Sequence, residues 1–289
     1  MKNILKSIFI SVFPALAIYA MIVSCINLVQ QGFSYRYLGL LINSSTIVFF
    51  FAGLFLKPQA RTSKKLNRYT IIIAIGFLIN VVLGSYFENN NLFLSSLNVL
   101  LLLSWNAYII WYSEFESRSV GRKSDSLKIG NQLPIFKVED ISKNIISSET
   151  FIGKPSIYLF YRGNWCPLCM AQIKEIAAQY KELEKRGVTM NFISPQPHNY
   201  SNKLAEKYHL GFNFLTDTNN KVAKQLGIFS ENGIPAGFQV FGYDSDTVLP
   251  TVIITDASGK IIFLDETDNY RVRPEPGTFL RVIDEYDFS

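Results

Sequence analysis

The hydrophobic positions of the chain fall into two regimes. Up to about residue 111 they form four long runs, at residues 7–29, 37–56, 69–87 and 92–111, separated by short polar connectors. Each run approaches the roughly 20 apolar residues that an α-helix needs to cross about 30 Å of hydrocarbon at about 1.5 Å per residue. Four membrane-spanning helices are therefore expected. The first lacks a clear small-residue cleavage site and precedes three more, so it reads as a retained helix rather than a signal peptide. From residue 114 to 132 the hydrophobicity falls and Ser, Lys, Arg, Gly and acids alternate, the composition of an exposed connector. Beyond residue 133 the pattern changes to short elements. Residues 157–161 read as a buried strand, and Ile173, Ile176, Ala177, Tyr180 and Leu183 recur at helical spacing up to a stop at Gly187. Residues 188–193 read as a second strand, 202–208 and 221–226 as short helices, and 251–255 with 261–264 as a hairpin around Ser258-Gly259. A last helix begins near Glu275. The expected organisation is a four-helix transmembrane region (1–113), a linker (114–132) and an α/β domain (133–289) of order β, α, β, α, β, β, α.

Charge sharpens this division. Residues 1–113 carry eight Lys or Arg and one acid, Glu88, whereas residues 114–289 carry twenty basic and twenty-two acidic side chains. No basic stripe with interleaved aromatics marks the second half, so no nucleic-acid partner is expected. The connector between the second and third runs contains Lys57, Arg61, Lys64, Lys65 and Arg68 with no acid, while the other two connectors offer only Arg36 and Glu88. Cytoplasmic loops hold the Lys/Arg excess. The expectation is a multi-pass protein of a bacterial inner membrane, with its N-terminus and, after four crossings, its C-terminal domain in the cytoplasm. Asn43, Ser44, Asn80, Ser95 and Asn106 within the runs read as interhelical hydrogen-bonding residues. No ionisable residue lies deep in a run, so neither haem ligation nor an ion pathway has visible parts, and the first half reads as an anchor or docking surface.

Three cysteines are too few for a disulfide framework, and two of them form one Cys-x-x-Cys, Cys166 and Cys169. Cys25 follows Ile22-Val23-Ser24 in a lipobox-like tetrapeptide, but the apolar run continues through Ile26, Leu28 and Val29, so a small packing residue is expected there. A structural zinc site wants four ligands, and His198 and His209 have no metal-like spacing to the pair; both read as surface or loop residues. The pair falls where the first strand of the α/β domain gives way to a helix. Cys166 at that helix start would gain from free N–H groups and the positive end of the dipole, and Pro167 suits the first helical position. Cys169, three residues on, lies on the same helical face and could resolve a mixed disulfide. On this reasoning Cys166 is expected to be the more acidic, more exposed, first-attacking sulfur.

The run Phe160-Tyr161-Arg162-Gly163-Asn164-Trp165-Cys166-Pro167-Leu168-Cys169 resembles the active-site segment of peroxiredoxin-like proteins of the AhpC/TSA group, in the thioredoxin-like superfamily. Leu133-Pro134, Gly153-Lys154, Leu249-Pro250-Thr251 and Tyr270-Arg271-Val272-Arg273-Pro274-Glu275-Pro276 agree with it, so that the resemblance covers nearly all of residues 128–289. It implies a thioredoxin-like fold, no cofactor beyond the redox-active cysteine pair, and protein dithiols, protein disulfides or a small peroxide as partners beside the lipid bilayer. It further implies that Trp165 shields the pair and that Leu249-Pro250 is cis, with the backbone of Leu249 beside the sulfurs. Arg162, Arg271 and Arg273 are candidates to stabilise a thiolate or bind an anion. Typical peroxiredoxins carry Pro-x-x-x-Thr(or Ser)-x-x-Cys. In that register Cys169 is the peroxide-attacking residue, Arg162 replaces the Pro and Cys166 the Thr. The departures favour disulfide exchange, and the expected function is a membrane-anchored thiol-disulfide oxidoreductase with thiol-dependent peroxidase activity. The alternative is a non-catalytic thioredoxin-fold module that recruits partners to the membrane. The sequence names no electron donor.

Overall fold

The computed structural model describes residues 2–61, 66–110, 124, 126–266 and 273–286. Lys64, Lys65, Trp111, most of the connector and Arg271 lie outside the described residues.

The first half is a bundle of four helices: α1 (Lys2–Gln31), α2 (Tyr35–Leu56), α3 (Asn67–Phe87) and α4 (Leu92–Ile110). All four are long and apolar enough to cross a membrane. Polar side chains start two of them, since the Ser34 hydroxyl accepts from Tyr37 N and the Asn91 carbonyl oxygen from Leu94 N. α2 is the central element and touches the other three. It comes closest to α3 at Gly39 and Gly76, where an added Cβ would run into the facing helix. Phe13, Leu40, Ile47, Phe50, Ile73, Leu101 and Trp105 fill the interior, while Val12, Ile22, Phe49, Ile71 and Leu103 point outward.

The polar residues of the bundle behave largely as interhelical ties. Asn43 donates to Asn98, Asn80 to the carbonyl of Arg36 at 2.7 Å, and Arg36 Nη1 to Ser95 Oγ at 2.7 Å. Ser44 and Asn106 instead bond back within their own helices. Two positions differ from expectation. Cys25 is exposed on the outer face of α1 rather than packed, because Ser24 takes the inward position. Arg36, read as a connector residue, is buried in the first turn of α2.

The second half is built on one sheet of order β2-β1-β5-β4-β3-β8-β9. Its strands are β1 (Lys137–Glu139), β2 (Ile145–Ser147), β3 (Ser156–Phe160), β4 (Thr189–Ser194), β5 (Phe212–Thr216), β8 (Thr251–Thr255) and β9 (Ile261–Asp265). A separate ribbon pairs β6 (Phe229–Ser230) with β7 (Thr247–Val248). β3, β4 and β5 run parallel, and β8 joins β3 antiparallel. The helices are α5 (Pro167–Ala178), α6 (Tyr180–Lys185), α7 (His198–Tyr208), α8 (Lys221–Gln225) and α9 (Pro276–Glu285). Period-two alternation along β3 sends Ile157 and Leu159 to the core that holds both cysteines, and Tyr158 and Phe160 to the core on the other face. This is a thioredoxin-like α/β fold.

The expected strands and helices are all present, but β1, β2, β5 and the β6–β7 ribbon are additional. The domain also starts earlier than residue 133. The Ser124 hydroxyl donates to Leu226 O, Leu127 is buried among Phe136, Leu226 and Ile228, and Gly130 N donates to Ile261 O at 2.8 Å. The end of the connector is therefore part of the domain, because its apolar residue fills the lower core.

Candidate active site

β3 is buried along its whole length, and the chain leaves it through Tyr161, Arg162 and Gly163 before α5 begins. Gly163 has φ +139°, and a Cβ there would sit 2.8 Å from the Trp165 ring. Only glycine lets that indole fold back over the loop. Cys166 is the N-cap residue of α5 with extended backbone (φ −88°, ψ 107°), and Pro167 occupies the first turn. Asn164 N donates to Gln196 Oε1, whose amide donates to the buried Tyr161 hydroxyl at 2.9 Å, so the end of β4 fixes the loop.

Both sulfurs are buried, Cys166 at 4% exposure and Cys169 at 0%. Arg273, itself 3% exposed, donates to Gln172 Oε1 at 3.0 Å and directs Nη2 to Cys169 Sγ at 3.5 Å and Cys166 Sγ at 4.0 Å. Burial alone would raise the Cys169 thiol. The Cys166 thiol, the Arg273 charge and a backbone hydrogen bond from Arg162 outweigh it and bring Cys169 down to about 5. The hydrogen bond to Cys169, with burial behind it, holds the proton on Cys166 and pushes that thiol up. These directions, with Arg273 closer to Cys169 than to Cys166, favour Cys169 where helix position favours Cys166. The helix-start argument favoured Cys166, but the groups that stabilise charge converge on Cys169 from the loop before the helix and from the segment before α9.

Cys166 nevertheless faces open space. It lines a cavity of about 380 Å³ whose other walls include Pro14 of α1, Phe51 and Leu54 of α2, and Trp165 and Phe238 of the α/β domain. Cys169 is not among the lining residues. The Trp165 ring lies 5.5 Å from Phe238 and 4.7 Å from the Arg162 guanidinium, which donates to Gly233 O. Trp165 packs against the core cluster that holds both cysteines and lines the same cavity as Cys166, with Arg162 against its ring.

The stretch from Ile228 to Val248, to which the sequence assigned no role, joins the two halves of the chain. Ser7 Oγ donates to Ile234 O at 2.6 Å and Ser11 Oγ to Ala236 O at 2.7 Å. Thr247 Oγ1 donates to Arg162 O at 3.1 Å, and the Tyr243 hydroxyl to Asn164 Oδ1. Arg61, after α2, pairs with Glu175 of α5 at 2.5 Å and with Glu275 at 3.4 Å.

Two further expectations are corrected. The described residues contain no cis peptide bond, so Leu249-Pro250 is trans. Leu249 N donates to Ile228 O at 2.7 Å and Leu249 O accepts from Thr251 Oγ1 at 3.0 Å. Both backbone groups are used inside the domain, and the side chain packs in the core on the sheet face away from the cysteines. His198 is not a free surface residue, since its Nε2 lies 2.6 Å from Glu139 Oε2. Among the described residues no group of three or more His, Cys, Asp and Glu is placed to hold a metal.

The AhpC/TSA family matches residues 129–264. Chloroplastic peroxiredoxin Q of Sedum lineare is 30% identical over 145 residues, covering 48% of this chain and 78% of that protein. The putative peroxiredoxin bcp of Haemophilus influenzae is 30% identical over 105 residues, covering 36% of this chain and 68% of that protein. Among solved structures, peroxidoxin BcpB from Mycobacterium tuberculosis aligns with a TM-score of 0.46 at 18% identity, covering 55% of this chain and 97% of that one.

Proposed function

The chain belongs to the AhpC/TSA family and is an oxidoreductase of the peroxiredoxin kind, and on that premise we propose that it is a membrane-anchored thiol peroxidase in which Cys169 attacks the peroxide and Cys166 resolves it. The observation that carries this reading is the convergence of Arg273, the Arg162 backbone and the Cys166 thiol on Cys169. A thiolate is the attacking species, and Cys169 is the sulfur held as one. It also occupies the cysteine position of the peroxiredoxin motif, with Cys166 where the Thr would be.

The chemistry closes on these two residues. Cys169 thiolate attacks the terminal oxygen of a hydroperoxide; the O–O bond breaks, and the departing alkoxide or hydroxide takes the Cys166 proton. Cys166, now a thiolate, attacks the Cys169 sulfenic acid, forming the disulfide and releasing hydroxide. Trapping tests the assignment. After limited hydrogen peroxide, Cys166→Ser should carry sulfenic acid on Cys169 at the wild-type rate by mass spectrometry, and Cys169→Ser should be inert to peroxide. Sulfenic acid at Cys166 in the second variant would overturn it.

Anchoring follows from the four long apolar helices, and a cytoplasmic domain from the basic segment between α2 and α3. The α/β domain rests on the bundle end formed by the start of α1 and the residues after α2, the end this reading places in the cytoplasm. A fluorescent-protein fusion after Ser289 should be bright and an alkaline phosphatase fusion inactive. The reverse pattern would refute the orientation.

A further inference from the structure

The segment that joins the cysteine loop to the bundle carries an apolar tip. Residues 232–243 contain no Asp, Glu, Lys or Arg. Phe238–Phe241 makes one 3-10 turn between Gly237 (φ +97°) and Gly242 (φ +85°), left-handed positions that let the chain fold out and back over a short stretch. Val240 and Phe241 on that turn are 81% and 62% exposed, the only two consecutive large apolar side chains left exposed among the described residues of the α/β domain. Single exposed apolar residues are ordinary, and the position of this pair is what sets it apart. Ala236 N donates to Ser7 O at 3.1 Å, so the segment is bonded to α1 through this contact as well as through the Ser7 and Ser11 hydroxyls. The α1 side chains that face outward around those serines, Leu5, Ile8 and Val12, are apolar. Phe241 also lines the cavity beside Phe55, an exposed residue in the last turn of α2. With 22 residues α2 is roughly 33 Å long, close to the roughly 30 Å of a hydrocarbon core, so its last turn marks the boundary between acyl chains and headgroups.

We infer that Val240 and Phe241 are seated in the acyl–headgroup boundary of the bilayer that the bundle crosses, so that the α/β domain touches lipid with a segment of its own site. The inference rests on the anchoring reading above. The occupant is lipid because the tip continues the outward apolar surface of the bundle: it is bonded to α1 at the level of Leu5, Ile8 and Val12 and shares a cavity wall with Phe55. An uncharged turn with an aromatic ring suits that boundary, where apolar side chains leave water without the backbone having to cross the core. The seat bears directly on the cysteine loop. Phe238 of the same turn lies 5.5 Å from the Trp165 ring, and on the far side of the turn Tyr243 and Thr247 donate to Asn164 and to Arg162 O. The cavity beside Cys166 then opens between Phe55 and Phe241 at the lipid boundary instead of into bulk water.

The test uses the full chain in phosphatidylcholine vesicles, with Cys25, Cys166 and Cys169 replaced by Ser and one new cysteine labelled with a polarity-sensitive nitrobenzoxadiazole dye. Placed by Val240→Cys, the dye should lose about half its emission to lipids bearing a nitroxide near the headgroup, and less to lipids bearing it near the chain end. Placed by Ser258→Cys, it should be unaffected by either lipid. Ser258 lies in the turn after Thr255, at the end of β8 that pairs with the start of β3, away from the cysteine loop. Phe241→Trp in the otherwise unaltered chain gives a second readout that keeps the native cysteines, since its added fluorescence should be quenched by phosphatidylcholine brominated near the headgroup. A dye at position 240 that behaves like the one at 258, in a chain that stays with the vesicles after alkaline carbonate extraction, would overturn the inference and leave the anchoring standing. A chain released by carbonate would overturn both. A dye at 240 shielded from aqueous iodide yet untouched by either lipid nitroxide would also overturn it, because protein would then cover the tip.

Discussion

Among the described residues, each half of the molecule buries one arginine almost completely, and the two are held differently. Arg36 in the bundle is 2% exposed and is surrounded by oxygen: Ser95 Oγ at 2.7 Å, Asn89 O at 3.2 Å, Asn90 Oδ1 at 3.3 Å and Glu88 Oε2 at 3.9 Å. Arg273 is 3% exposed and reaches the Gln172 carbonyl and two sulfurs. A guanidinium with a carboxylate and carbonyls around it is a structural clasp, here closing the α3–α4 turn over the start of α2. One aimed at thiols gains attraction when a sulfur ionises. Under the proposed mechanism the same side chain serves architecture in one half and thiolate chemistry in the other.

Removing the two charges should separate these roles. Arg273→Gln should have the larger effect on catalysis. Loss of a cation next to a thiol allows its pKa to climb by about 1 to 3 pH units, which at neutral pH removes up to about tenfold of the thiolate. In the intact protein peroxidase activity should be level near neutral pH and fall as the pH drops through about 5, where Cys169 takes up its proton. In Arg273→Gln that acid limb should move toward neutrality, visible in the pH dependence of the second-order rate with peroxide. An unmoved limb would show that Arg273 does not set the thiolate.

Arg36→Gln should barely change that rate or its pH profile. Its cost should appear in stability, on the order of 2 kcal/mol for lost hydrogen bonds to a charged group, read as a lower unfolding midpoint in detergent. A shifted pH profile in this variant would break the division of roles.

What could be read from the sequence follows how local each signal is. The four apolar runs, the β3-turn-α5 unit around the cysteines and the β8–β9 hairpin are each written in contiguous residues, and they are found close to where the patterns place them. β5 and the β1–β2 hairpin were missed because three to five residues carry too little periodicity, and the pairing of β5 with β4 makes it a strand. The contacts that bear on the acidity of the sulfurs were not legible for a different reason. Helix position is local to Cys166 and Cys169, but Arg273 lies more than one hundred residues on and reaches them only through the packing of the chain before α9. Arg273 itself was legible as a candidate, through the Arg-Val-Arg-Pro-Glu-Pro segment, without its partner being legible. The cavity had no sequence signal at all, because its two walls come from halves joined by side chains such as Ser7, Ser11 and Arg61.

The central claim is that Cys169, not Cys166, is the resting thiolate. The most direct test is ultraviolet titration of thiolate absorbance in the reduced full-length protein and in the two single Cys→Ser variants. Cys166→Ser should retain a thiolate with a midpoint well below the ordinary thiol value of about 8.5, and Cys169→Ser should lose that transition and ionise only at higher pH. A low-pH transition that persists in Cys169→Ser and disappears in Cys166→Ser would contradict the account.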